Sequence, residues 1–206
     1  MPRLTPERRE AKRAQIVAAA RRCFSRDGFH QTSMPDIAAE AGLSQGAAYR
    51  YFAGKDEIIL AIAGDAFRLI FAPVQRLASE ADAPSVAELT ATALDALTAD
   101  TVIDAAGNDV PVDELLRCAV QTWSEMLRNE TVRSAAVEGF DGVRRSIAEA
   151  IERGQAAGAV PPSVHPDHGA RVVMGLLHGF LLQRVAFGLT DTAQCNADIT
   201  ALLHHS

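Results

Sequence analysis

Gly42 lies between two apolar-periodic runs, each too short to persist alone, and this restricts the fold more than any other feature of the chain. Ser33 stands as an N-cap, with Pro35 in the first turn and Asp36 at the capping-box position, so a short helix is predicted to stop at Gly42. Ser44 is placed to cap a third short helix running through Tyr51. Helices below ~12 residues are marginal in water, so this pair must lean on something larger. The preceding segment supplies it. Thr5 as N-cap, Pro6 at the first helical position and Glu7 in the first turn open a helix whose Ile16, Ala19, Ala20, Cys23 and Phe24 form one stripe. Arg8, Arg9, Lys12, Arg13, Arg21 and Arg22 are expected on its basic surface, and Gly28 is expected to end it in the left-handed conformation. Within the pair, Ile37 points into the small core, Ala38 sits where the axes approach, and Leu43 and Ala48 face the first helix. Gly42 allows the positive φ of the tight turn. The whole is a helix-turn-helix.

The rest of the chain also shows helical periodicity. A fourth helix is predicted from Lys55 to about Phe71, and others near 84–99, 112–128, 132–157, 166–188 and 191–204, separated by glycines and prolines such as Gly107, Pro111, Gly158 and Pro161. No strand signal is visible, and 104–111 reads as a mobile loop. The expected fold class is all-α: an N-terminal three-helix unit at 1–55 and a larger helical domain at 56–206.

Charge follows the same division. The chain carries a formal −6, which taken whole disfavours nucleic acid, but residues 1–55 hold ten Lys/Arg against five Asp/Glu, and the remainder ten against twenty-one. A basic piece on an acidic body is the asymmetry expected when one end meets phosphate. Cys23, Cys118 and Cys195 are too few and too scattered for a disulfide framework or zinc site, and read as buried thiols. The N-terminus opens on Pro, Arg and Glu with no apolar run behind it, so no signal peptide is expected. The most apolar stretch, 172–187, holds His178, Gln183 and Arg184 and falls short of the ~20 residues of a membrane span. A cytoplasmic protein without membrane contact is expected. An enzyme is disfavoured, because no phosphate loop, dinucleotide fingerprint, nucleophile elbow or zinc-binding histidine pair is present. No metal or cofactor is expected. His165 and His168 flank Pro166 without a nearby third ligand.

Around the short helix pair, Gln15-Ile16, Ala19-Ala20, Phe24, Gly28-Phe29, Thr32-Ser33, Asp36-Ile37-Ala38, Ala41-Gly42, Gly46, Tyr49, Tyr51-Phe52 and Lys55-Asp56-Glu57 keep a particular order and spacing. Over residues 10–62 this resembles the N-terminal domain of the tetracycline-repressor (TetR) family of transcriptional regulators. Ala48 departs mildly, since the family usually has a larger aliphatic residue there. The resemblance implies roles by position. Gln45 would pair with an adenine edge, Gly46 would let the backbone approach the groove, and Ala47 would touch a thymine methyl. Tyr49, Arg50 and Tyr51 would meet phosphates or the groove wall, with ordinary packing as the alternative for the two tyrosines. Ser33 and Lys55 would add phosphate contacts at helix starts, and Ser44 opens the reading helix.

The resemblance further implies a homodimer on an inverted-repeat operator in double-stranded DNA, and a small-molecule effector that releases a repressor. The sequence adds support for the dimer. The helix over 168–187 is apolar nearly all round, so it must be buried on two sides. Gly175 and Gly179 leave a smooth strip beside Val172, Leu176, Phe180, Leu182 and Gln183; with Ile199, Leu202 and Leu203 of the last helix, these form the expected seam. A central helix of a monomeric bundle is the alternative. Phe67, Phe71, Trp123, Met126, Phe140, Val143, Met174 and His178 are pocket candidates, although large aromatics and methionines also build ordinary cores. Control by a protein partner or by thiol oxidation is the alternative to a small effector.

Overall fold

The computed structural model describes residues 5–82, 84–104, 107–189, 194, 195, 197, 198 and 201. Within these the elements run α1 (Pro6–Asp27), α2 (Met34–Glu40), α3 (Gln45–Ala48), α4 (Lys55–Glu80), α5 (Val86–Thr98), β1 (Thr101–Ile103), β2 (Asp109–Pro111), α6 (Val112–Met126), α7 (Glu130–Ala156) and α8 (Pro166–Phe187). The fold is all-α apart from one small hairpin. The predicted last helix, near 191–204, lies largely outside the described residues.

Two compact units interleave along the sequence, one of Met1–Ala66 with Asp100–Arg133, the other of Phe67–Ala99 with Ser134–Ser206. Compactness therefore does not change at 55/56. The reason is α6, which packs on α1 and draws a late segment into the first unit.

In the first unit, Ile16, Ala19, Ala20, Cys23 and Phe24 are buried as their stripe predicts. Thr5 caps α1, and Ser33 with Asp36 forms a reciprocal capping box on α2. Gly28 has φ 86° and ψ 163°, positive but extended, so it breaks the chain direction rather than closing α1 in the left-handed helical conformation. Gly42, at φ 65°, supplies the turn. The third helix is a single turn of four residues, and Ser44 makes no side-chain cap bond to it. The hairpin pairs Val102 with Val110 antiparallel, Val110 being fully buried. Strands of three residues are too short to display alternation, so the sequence reading missed them. Asp104 closes the connection by accepting from the Asn108 N–H at 2.9 Å.

In the second unit, α4 continues past Pro73, beyond the predicted end at Phe71. Proline in a helix costs about 3 kcal/mol. Ile70, Val74 and Ala78 are buried at i+4 spacing along one face and offset that cost. Ser85 and Glu88 form the capping box of α5. The α8 helix packs on α5 and buries Val173, Met174, Leu177 and Leu181, and Arg184 donates to the Leu97 carbonyl. An 18-residue window of the 22-residue α8 reaches mean hydropathy 1.2, so by length and apolarity alone it meets the test of a membrane span, contrary to the sequence reading; one stripe of it is buried and Arg184 is bonded to the Leu97 carbonyl.

Candidate nucleic-acid interface

Four residues cannot bury much, so α3 is held by what lies under it. Ala47 and Ala48 are its buried positions, while Ser44, Gln45, Gly46, Tyr49 and Arg50 are exposed. Tyr49 is 52 % exposed, so its ring and hydroxyl are open to a partner. One edge of the turn therefore presents an amide, a bare glycine backbone, a phenol and a guanidinium. Two residues given groove contacts by resemblance lie elsewhere. Ala47 is only 6 % exposed and packs inward, so its methyl is not available to a thymine. Tyr51 is 9 % exposed and belongs to the core, the packing alternative.

Basic residues divide in the same way. Arg21 is not on the surface: it is 4 % exposed and donates to Glu114 of α6 at 3.1 Å. Arg13 lies 4.1 Å over the Phe52 ring, pairs with Glu57 at 3.2 Å and donates to the Tyr51 carbonyl, so it fastens α1 to the start of α4. Arg22 pairs with Glu40 at 2.7 Å, and that guanidinium holds the Glu40 carboxyl below the usual carboxylate range. Lys55 donates from Nζ to the carbonyls of Phe29 at 2.6 Å and Thr32 at 3.2 Å. It is a clamp on the loop between α1 and α2, a role that sequence position alone did not suggest. Ser33 is exposed, but its hydroxyl is engaged with Asp36 at 2.6 Å.

Further bonds hold that loop. Thr32 Oγ1 donates to the Gly28 carbonyl at 2.9 Å, and the Phe29 N–H donates to Gln121 Oε1 at 2.8 Å. Gln121 Nε2 donates in turn to the Phe24 carbonyl at 2.9 Å. Gln121 was absent from the sequence-derived candidates, because an amide on a helix far along the chain carries no local signal of its partner.

In the second unit, Phe67, Phe71, Phe140 and His178 come together. Phe67 and Phe71 are 4.8 Å apart, and Phe140 meets Phe67 edge-on at 5.4 Å and His178 at 5.2 Å. Burial pushes the His178 imidazole below its ordinary value. Val143 and Met174 are buried in this unit, whereas Trp123 and Met126 belong to α6 in the first. A separate cavity of about 420 Å³, lined by His165 and by charged residues including Arg144, Glu149, Glu152 and Asp167, was not anticipated. Its Arg144 and Asp167 are paired with each other. The outer face of α8 exposes Val172 (61 %), Gly175 and Leu182 (40 %), with Gln183 also exposed and Leu176, Gly179 and Phe180 half-buried. Ile199, Leu202 and Leu203 lie outside the described residues.

Comparison with known proteins agrees with this layout. Residues 16–62 match the pattern described as "Bacterial regulatory proteins, tetR family", and residues 100–205 match "BetI-type transcriptional repressor, C-terminal". The transcriptional regulator TtgR of Pseudomonas putida is 29 % identical over 183 residues, covering 88 % of this chain and 86 % of its own. A transcriptional regulator from Saccharomonospora viridis in complex with choline superposes with TM-score 0.72 at 21 % identity, over 96 % of this chain and 97 % of its own. The SmeT–triclosan complex gives 0.66 at 25 % identity, over 94 % and 91 %. The relatives are regulators rather than enzymes, and the chain belongs to the tetR family of bacterial transcriptional regulators.

Proposed function

We propose that this regulator is a cytoplasmic homodimer that represses from an inverted-repeat operator and is released by a small lipophilic effector. The exposed edge of α3 carries the DNA-reading part. Gln45 offers both donor and acceptor to a base, Gly46 admits the groove wall, and Tyr49 and Arg50 hold phosphates. Ser44 stands at the start of this edge, its hydroxyl making no cap bond and so able to meet a phosphate, whereas Ser33 at the start of α2 would first have to release Asp36. The reading head is assigned to residues 1–55 and the regulatory domain to 56–206 as a division of function, although α6 shares a compact unit with the head. Dimerisation is supported by the open apolar face of α8 with its glycine strip, since one head reads too little DNA. The aromatic group of Phe67, Phe71, Phe140 and the neutral-favouring His178 suits an apolar ligand better than the charged cavity does.

Control by thiol oxidation is the weaker reading. Burial pushes the Cys118 thiol up to about 12 and raises Cys23 as well, which disfavours the thiolate that oxidation requires at both; Cys195 is half-buried rather than buried and is the one thiol to which this does not apply.

The test is a thermal-shift panel of lipophilic compounds including triclosan, with choline as a polar counterpart, repeated with operator present. A true effector raises stability and binds roughly 5–150-fold more weakly to the operator complex. Equal affinity with and without operator removes the release mechanism.

A further inference from the structure

Between α1 and α2 the chain changes direction at Gly28, and helical hydrogen bonding stops there. Phe29 is the first residue beyond the break, 3 % exposed, with its ring 4.8 Å from Phe24. A buried N–H without an acceptor is costly, and the local chain offers none. Gln121 of α6 provides it at 2.8 Å and binds the Phe24 carbonyl at 2.9 Å with the other end of the same amide. One side chain thus spans the break, tying the last turn of α1 to the first loop peptide. An added Cβ on Gly28 would stand 3.5 Å from Gln121 Oε1, so the amide is seated directly on the break.

The same α6 stripe carries Glu114, Cys118 and Glu125. Glu114 accepts from Arg21, the Cys118 thiol points to the Arg21 carbonyl, and Glu125 lies 3.1 Å from His30. Of this stripe, Gln121 is the member whose two partners are both backbone groups flanking Gly28, while Lys55 and Thr32 bind carbonyls of the loop that follows.

We propose that Gln121 is a positioning residue for DNA recognition: its amide fixes the angle at which α2 and α3 leave α1. This rests on the sequence-specific reading of DNA by α3. A head whose bend is held loosely keeps its basic surface but presents Gln45 in a spread of orientations. Specific affinity then falls, while binding to unrelated DNA, which needs only phosphates, does not.

The experiment uses the full chain, a duplex enriched by the wild-type protein from a random-sequence pool, and an unrelated duplex of equal length. Gln121→Met keeps the length of the side chain and removes both bonds; Gln121→Glu keeps the acceptor for Phe29 and loses the donor to Phe24. The ratio of enriched-duplex to unrelated-duplex affinity is expected to fall about tenfold in Gln121→Met and less in Gln121→Glu. Hydrogen exchange at the Phe29 amide should quicken in Gln121→Met only. A ratio within twofold of wild type in the folded variants overturns the proposal, as does a Phe29 amide that exchanges freely in the wild type. Should Gln121→Met not fold, Gln121→Glu and the wild-type exchange rate decide. Failure of the wild type to enrich any sequence would instead strike at DNA reading by α3, and at this inference through it.

Discussion

Arg21 and Glu114, 93 positions apart, meet at 3.1 Å, and the two ends of the pair differ in their access to water. The arginine side chain is 5 % exposed and the glutamate 25 %. Removing either partner strands the other, but the stranded groups fare differently. Left alone, Glu114 can turn to solvent, whereas Arg21 would remain a buried charge. Breaking a fully buried pair costs about 3–5 kcal/mol. Glu114→Ala should approach the lower end of that range, and Arg21→Met should cost roughly 1 kcal/mol. Urea unfolding of both variants checks the order; the reverse order would show that the pair is not buried in solution.

Lys55 and Arg50 should separate a clamp from an anchor. Hydrogen bonds from a charged donor contribute about 1.5–3 kcal/mol, so Lys55→Ala should lower stability by roughly that amount. Its slope of operator affinity against salt should stay near that of wild type. Arg50→Ala should leave stability alone and reduce the slope by about one unit per protomer. A loss of slope in Lys55→Ala would return that ammonium to the phosphates.

How much of this was visible in the sequence depends on the range of the interaction. Ser33 with Asp36, Thr5, Gly42 and the Ile16–Ala20–Phe24 stripe act over a few residues, and each reads correctly. The extension of α4 through Pro73 does not, because Ile70, Val74 and Ala78 overrule a local breaker by tertiary burial. Charge places Arg21 on the surface and the resemblance places Lys55 on a phosphate, yet each has partners supplied from distant sequence. Ala47 was misplaced for a related reason. A helix of one turn fixes which residues face inward only once its supporting helices are in place.

His178 gives a pH signature. Its folded value is depressed by burial, so the neutral form belongs to the fold, and the unfolded chain binds the extra proton. That stability is fully present above the ordinary histidine value of 6.5 and is lost as pH falls below it, through the lower folded value. The unfolding free energy of wild type should therefore drop more than that of His178→Gln on acidification below 6.5. Parallel pH profiles would mean that the ring is already hydrated.

Val172 tests the dimer. At 61 % exposure it contributes little to the fold of one chain, so Val172→Glu should leave the unfolding free energy nearly unchanged. On an open α8 seam it places a charge opposite its symmetry mate. Sedimentation should then show a shift from dimer to monomer, with operator affinity falling alongside. An unchanged dimer would place the seam elsewhere.

Base preference across an operator library, measured for wild type and Gln45→Ala, bears most directly on the claim that the exposed edge of α3 reads DNA. Wild type should select an inverted repeat whose half-sites lie about 34–36 Å apart, or a related multiple, bound by two protomers or more. Gln45→Ala should lose ~1–3 kcal/mol at the selected site and relax preference at one position in each half-site. A monomer on a single asymmetric half-site, or a Gln45→Ala protein weakened equally on every sequence, would contradict the account.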